Sequence, residues 1–229
     1  MNGRVSQEVR VAIETSTAVG GVAVARGDRM LTEVSLGIQS RHAELALPAL
    51  DSALELAGLE REAIGAVVVG AGPGSFTGVR VAGAMAKGLA MALEVPLLAY
   101  PSLLALAVTV AADRPVCAMF DARRGEVYAG CWRLTDVPGS LLEPIVARVS
   151  EVVARVAEHR PLFAGEGAVR YRAELEAAGA VVSRPPAYPR AAALLWLADR
   201  LPELGAVDDV ASWEPEYVRA SSAERGVPG

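Results

Sequence analysis

Residues 70–78, Gly70-Ala71-Gly72-Pro73-Gly74-Ser75-Phe76-Thr77-Gly78, constrain this chain more than any other segment. They follow the unbroken apolar run Ala66-Val67-Val68-Val69, which suits a strand buried on both faces. They precede an apolar stretch from about Val79 to Leu93 whose charges are Arg80 and Lys87. A central strand that turns through glycine into a helix belongs to a layered α/β fold. Glycine admits positive φ and lets backbone N–H groups at a helix N-terminus approach an anion. No Gly-Lys-[Ser/Thr] follows Gly78, so the turn is not a P-loop. Ser75 stands where the dinucleotide fingerprint needs its third glycine, and Gly72-Pro73-Gly74-Ser75 is not a Gly-x-Ser-x-Gly nucleophile elbow. Two readings stay open on the residues alone. One is a close-packed strand-to-helix connection. The other is a nucleotide or phosphate loop built from Glu14, Thr15, Ser16, Gly72, Gly74, Ser75, Thr77 and Gly78.

The pattern on either side predicts a repeated unit. Val9 to Glu14 alternates apolar and polar residues, Gly20-Gly21 turns into Val22–Ala25, and Gly27-Asp28 turns into a strand near Met30 to Leu36. Arg26-Gly27-Asp28 therefore reads as a hairpin turn rather than an adhesion tripeptide. A helix is expected from about His42 to Ala57, with Pro48 disturbing its first turns. Val95 to Tyr100 is the next strand, and Ser102 is expected to cap a helix to about Ala111. The order βββαβαβα is that of an RNase H-like lobe. The second half repeats it in reduced form: strands at Pro115–Asp121, Glu126–Arg133 and Pro144–Val149, a helix near Glu151–Glu158, then Leu162-Phe163-Ala164 leading into Gly165-Glu166-Gly167. A hairpin about Arg124 places Cys117 opposite Cys131. The expected division is a first lobe at 1–104, a smaller second lobe at 105–205 and a C-terminal segment at 206–229. The helix Ala191–Leu201 and residues Trp213–Arg219 are expected to pack back across the lobes, leaving Ser221–Gly229 as a frayed tail.

Composition narrows the function. The net charge is −5 with no Lys/Arg-rich run, which disfavours unaided, strong nucleic-acid binding. No apolar run reaches bilayer length and Met1–Arg10 has no signal-peptide core, so a soluble cytoplasmic protein with reduced, buried thiols is expected. Only His42 and His159 supply imidazole; both read as structural or surface groups, and no metal-ligand spacing exists. No catalytic site and no metal site are expected. In actin-like phosphotransferases the hairpin after the first strand carries an acid and then a glycine; here Glu14 is followed by Ser16, whose side chain crowds a phosphate.

Two helices carry more apolar surface than one lobe buries. In the first, Ala43, Leu47, Leu50, Leu54 and Ala57 share one face and Ala46, Ala49, Ala53 and Leu56 another. In the second, Ala82, Gly83, Ala86 and Ala90 form a small-residue stripe opposite Val81, Met85, Leu89 and Met91. This predicts a helix bundle shared with a partner chain. The expected partner-binding residues are His42, Leu45, Ala46, Ala49, Ala53, Ala82, Gly83, Ala86, Lys87 and Ala90.

Several motifs resemble the TsaB (YeaZ) family: Ile13-Glu14-Thr15-Ser16-Thr17, Arg41-His42-Ala43-Glu44 leading to Leu47-Pro48, Gly72 to Arg80, Ala86-Lys87-Gly88-Leu89-Ala90, Asp121 to Tyr128, and Pro215-Glu216-Tyr217-Val218-Arg219. The first five occur in family order up to about residue 130, while 135–210 resembles the family weakly. Glu14 replaces the family's more usual Asp. The resemblance implies a two-lobed actin-like (ASKHA) fold. It implies an accessory subunit, not itself an enzyme, that heterodimerises with the catalytic paralogue TsaD. That paralogue transfers a threonylcarbamoyl group to adenosine 37 of tRNAs reading ANN codons (t6A formation). It also implies a TsaE-type ATPase in the same complex, tRNA reached indirectly, and no required cofactor, with room for weak nucleotide binding; for the chain alone the apolar helices leave homodimer and monomer both open. The paralogue's two metal-binding histidines match Ser102 and Leu106 here; Leu106 has no ligating atom. The alternative is an ATP-dependent phosphotransferase of the same superfamily.

Overall fold

A computed structural model describes residues 8–37 and 41–215. The first lobe is built on β1 (Val9–Glu14), β2 (Gly20–Arg26) and β3 (Arg29–Leu36), an antiparallel meander. Then come α1 (His42–Leu56), β4 (Ile64–Gly70), α2 (Phe76–Leu93) and β5 (Leu97–Tyr100). The sheet order is β3-β2-β1-β4-β5, with β4 parallel to β1 and to β5. Side chains alternate faces along a strand, and the two faces differ. Val11, Ile13, Val22, Val24, Val67 and Val69 meet α1 and α2 on the outer face. Ala12, Ala23, Ala25 and Val68 meet the interior of the molecule, where small residues admit a helix closely.

Helix α1 runs unbroken through Pro48, against the expected disturbance. Pro48 and Glu44 are both exposed, so water can take up the Glu44 carbonyl that the proline leaves without a donor. Helix α2 starts at Phe76, before the expected Val79, because Ser75 caps it: the Ser75 Oγ accepts from the Gly78 N–H at 3.4 Å. The cap expected of Ser102 is not made. Pro101 holds the N-cap position of α3 (Ser102–Val110), and Ser102 is its first helical residue.

The second lobe contains β6 (Val116–Arg123), β7 (Glu126–Arg133), β8 (Gly139–Arg148), α4 (Val149–Val156), β9 (Leu162–Ala164), α5 (Glu166–Arg170), α6 (Arg172–Ala177) and β10 (Val181–Val182). Its sheet order is β10-β9-β6-β7-β8. Read from the third strand of each lobe, the two sheets have the same order, as a duplicated unit requires. The second copy is the reduced one: β9 has 3 residues and β10 has 2. Strand β8 begins at Gly139 rather than Pro144. Cys117 pairs directly across from Cys131, both as free buried thiols.

Between the sheets lie α3 and α7 (Ala191–Arg200). Tyr100, Leu103, Leu106, Leu194 and Leu197 join Ala12 and Val68 of one sheet to Val116, Ala118 and Phe120 of the other in one continuous core. The expected cut at 104/105 thus falls inside α3, and α7 packs on β1, β2 and β4 of the first lobe. After α8 (Pro202–Gly205) the chain crosses the edge of the first sheet, where Val207 N donates to Leu97 O at 3.2 Å. Trp213 then reaches the core under α2. The remainder of the expected C-terminal signature and the tail, residues 216–229, lie outside the described residues.

Candidate functional site

The carboxyl ends of β1 and β4 are where an actin-like fold keeps its reactive groups, and here they are packed shut. Thr15 Oγ1 donates to Gly78 O at 2.7 Å, and Ser75 N donates to Ser16 O at 2.7 Å. Gly72 N donates to Ser102 Oγ at 3.3 Å. A Cβ on Gly78 would overlap the Thr15 carbonyl, and one on Gly74 would overlap the Ser16 carbonyl. Glycine is therefore required here for backbone contact. The N–H groups of Gly72, Ser75 and Gly78 already donate within the protein, to Ser102 Oγ, Ser16 O and Ser75 Oγ. The structure brings Glu14, Thr15, Ser16, Gly72, Gly74, Ser75 and Gly78 together as expected, but as a close-packed connection. Thr77 is exposed on the first turn of α2 and stands apart.

Glu14 is fully buried. Its Oε1 accepts from Ser16 N at 2.7 Å, and its Oε2 lies where a Cβ on Gly70 would sit, beside Ser102. Burial pushes the carboxyl above the usual range, and hydrogen bonding from Ser16 offsets only part of that. Such a group is enclosed by the packed strand ends. It is not a free carboxylate facing a substrate.

The two positions that match the paralogue's metal histidines sit one turn apart on α3. Ser102 is engaged at the glycine turn of the first lobe, and Leu106 packs against Gly165 of the second. Among the described residues no three His, Cys, Asp or Glu side chains are grouped to hold a metal ion. Ser75 serves as a cap, His42 is buried with Nε2 3.1 Å from Leu36 O, and His159 lies 3.4 Å from Glu158. A cavity of about 530 Å³ borders the turn at Ala71 and Pro101, but its other walls are Ala99 and residues 204–213. No described helix is long and apolar enough to cross a membrane.

Most of the expected partner-binding residues face the chain's own interior. Ala49, Ala53, Ala82, Ala86 and Ala90 are buried against the chain's own first sheet, and Ala46 is buried as well. The small-residue stripe is what lets α1 and α2 lie close on that sheet. Gly83 is covered by the chain itself, since a Cβ there would meet Pro215 Cγ at 2.8 Å. Lys87 Nζ donates to Trp213 O at 3.1 Å. His42 is buried, and Leu45 is half-buried. What α1 and α2 leave outward is a different set: Leu47 41%, Leu56 76%, Phe76 44% and Met91 54% exposed, with Ala43, Ala84 and Gly88 also exposed. Arg80 lies over the Phe76 ring at 3.8 Å. Among the described residues nothing lies within 4 Å of where a Gly88 side chain would begin. The i, i+4 spacing of Phe76, Arg80, Ala84 and Gly88 carried this ridge in the sequence, but the alanine stripe masked it.

Sequence reasoning also missed a cluster at the exits of β6 and β9. Asp121 lies 3.6 Å from Arg170 and 3.4 Å from the Tyr171 hydroxyl. Burial and then the Asp121 charge push the neighbouring Glu166 carboxyl up.

Two α/β lobes of matching strand order joined through α3 define a protein of the actin-like class. The family profile described as "TsaD: tRNA N6-adenosine threonylcarbamoyltransferase" matches residues 36–179. The "tRNA threonylcarbamoyladenosine biosynthesis protein TsaB" of Bacillus subtilis is 31% identical over 93% of this chain and 95% of its own length. A solved structure titled "YeaZ from Pseudomonas aeruginosa" is 30% identical, with a TM-score of 0.79 over 92% of this chain and 99% of that one. Another, described as an uncharacterized protein with similarity to peptidase YeaZ from Pseudomonas aeruginosa, is 31% identical with a TM-score of 0.82, covering 93% and 100%. The chain belongs to the TsaB (YeaZ) family.

Proposed function

We propose that this chain serves tRNA threonylcarbamoyladenosine biosynthesis as a subunit without a catalytic centre of its own. It pairs with a TsaD-type catalytic paralogue through the outward ridge of α1 and α2. The observation that carries this reading is the filled strand-end site. In the glycine turn Gly72 N donates to Ser102 of α3 and Ser75 N to Ser16 just after β1, and a leucine stands where the paralogue holds a metal ligand. A fold that has lost its reactive site but keeps exposed Leu47, Phe76 and Met91 on one helix pair has a surface suited to a partner. The ridge supplies apolar anchors with Ala84 and Gly88 between them, so a partner helix can approach closely.

In this arrangement tRNA and a TsaE-type ATPase belong to the assembled complex, and the unpaired chain forms a homodimer through the same ridge. The phosphotransferase alternative would need free loop N–H groups and a solvated acid, whereas Glu14 is buried. Titration calorimetry of the chain into a purified TsaD-type partner tests the pairing. One-to-one binding is expected, abolished by Leu47→Asp with Met91→Asp. The absence of a complex at micromolar concentration, with both chains folded, overturns the reading.

A further inference from the structure

The β6–β7 hairpin is built against its own turn chemistry. Arg123, Arg124 and Gly125 all have left-handed backbones, with φ of 64°, 57° and 79°. A tight hairpin with positive φ prefers Asn, Asp or Gly at such positions, and Gly125 conforms. Arginine at the two others stores strain that the hairpin itself does not need, and strain of this kind persists where a side chain has another use.

The side chains are placed for an anion. Arg123 pairs across the strands with Glu126, and Glu126 pairs with Arg148, so the two arginines flank one residue at the end of the sheet. Arg123, Arg124, Arg148 and Arg170 are all exposed. Arg123, Arg124 and Arg148 have no carboxylate partner among the described residues. Asp121 does not neutralise them. Its Oδ1 accepts from Arg123 N at 3.1 Å, which fixes the strained residue, and its Oδ2 faces Arg170. Arg170 also lies 5.9 Å from the ring of half-buried Tyr171. Rigid guanidinium forks beside an aromatic ring suit phosphates and unstacked bases. They give a local cationic site on a chain whose net charge is −5.

We propose that this arginine hairpin contacts the phosphate backbone of the tRNA, giving the non-catalytic chain a direct share in holding the RNA. The inference rests on the reading of the chain as a partner in tRNA modification. The occupant is a phosphate backbone, because Arg123, Arg124 and Arg148 are exposed arginines without an ion-pair partner among the described residues and the planar guanidinium fork matches phosphate geometry.

The test compares the complex of this chain and its TsaD-type partner, carrying Arg123→Asn with Arg124→Asn, against the Lys,Lys counterpart and the unsubstituted complex. The probe is unmodified tRNA. Asn suits the left-handed backbone, so the melting temperature should hold or rise. Affinity for tRNA should fall about tenfold near physiological salt, and the slope of log affinity against log salt should shrink by about 1.4 to 1.8. The Lys pair should keep most of both. Unchanged affinity and slope overturn the proposal. So does loss of pairing with the catalytic partner, which would make the hairpin a protein contact. If the unsubstituted chains do not pair, the functional reading fails instead. The same variants titrated as single chains with tRNA then decide the hairpin, with equal binding refuting it.

Discussion

The division of α2 into an inner face for its own sheet and an outer face for a partner makes one prediction that separates folding from pairing. Ala86 is fully buried against the first sheet, whereas a side chain at Gly88 would begin in open space among the described residues. Ala86→Leu inserts three carbons between helix and sheet. Overpacking of that kind costs about 1–3 kcal/mol, which for a chain of this size lowers Tm by roughly 3–10 °C. Gly88→Leu does the reverse to the monomer. Replacing a mid-helix glycine with a good helix former recovers about 0.5–1 kcal/mol, so Tm should rise by roughly 1–3 °C. Yet the new side chain stands on the ridge between Ala84 and Met91, where a partner helix must come close. Pairing should weaken at least about thirtyfold, equivalent to roughly 2 kcal/mol. Circular-dichroism melts of the single chain and titration calorimetry with the TsaD-type partner give the two readouts. If Ala86→Leu leaves Tm unchanged while abolishing pairing, or Gly88→Leu pairs with full affinity, the assignment of the two faces is wrong.

Other consequences concern the filled site and the thiols. Because burial raises the native Glu14 carboxyl above its unfolded value, the folded chain holds a proton that the unfolded chain has released. Its contribution is therefore full below the unfolded pKa and is lost as pH rises through the folded one. Glu14→Gln should remove that decline, so the variant gains on the parent in urea melts as pH rises above the ordinary carboxylate range; a parent that gains on the variant instead refutes the raised carboxyl. Gly78→Ala drives a methyl into the Thr15 carbonyl and should cost roughly 3 kcal/mol, and an unchanged melt would show that the turn is looser than described. Cys117 and Cys131 are both buried and unbridged, so an aromatic disulfide reagent should titrate them only after denaturant is added. Fast labelling of the native chain would contradict that burial.

Much of the fold is legible in the sequence because its signals are local. The meander shows in alternation and glycine turns, β4 in a valine run, and the second lobe in the repeated strand-glycine-helix unit. What escaped depends on contacts between distant residues. Alanine on nearly every side of α1 and α2 hides which face meets the sheet, since packing against Val11, Val22 and Val67 decides it. Ser102 looks like a helix cap because it follows a proline. Its hydroxyl instead serves Gly72, 30 positions earlier. The cover over Gly83 comes from Trp213 and Pro215, which no pattern within α2 announces. The close approach of the Thr15 and Ser16 carbonyls to Gly78 and Gly74 is likewise a contact between separate segments that no local pattern announces.

The most direct test of a partner subunit without its own catalytic centre is reconstituted threonylcarbamoylation of unmodified tRNA. It is followed by mass spectrometry with the TsaD-type enzyme present throughout. Adding this chain should raise the modification rate strongly. The Leu47→Asp, Met91→Asp variant should give none of that gain, and Glu14→Gln should retain it, because a buried structural acid performs no step. Equal rates with and without the chain, or loss of the gain on Glu14→Gln with pairing and stability intact, would contradict it.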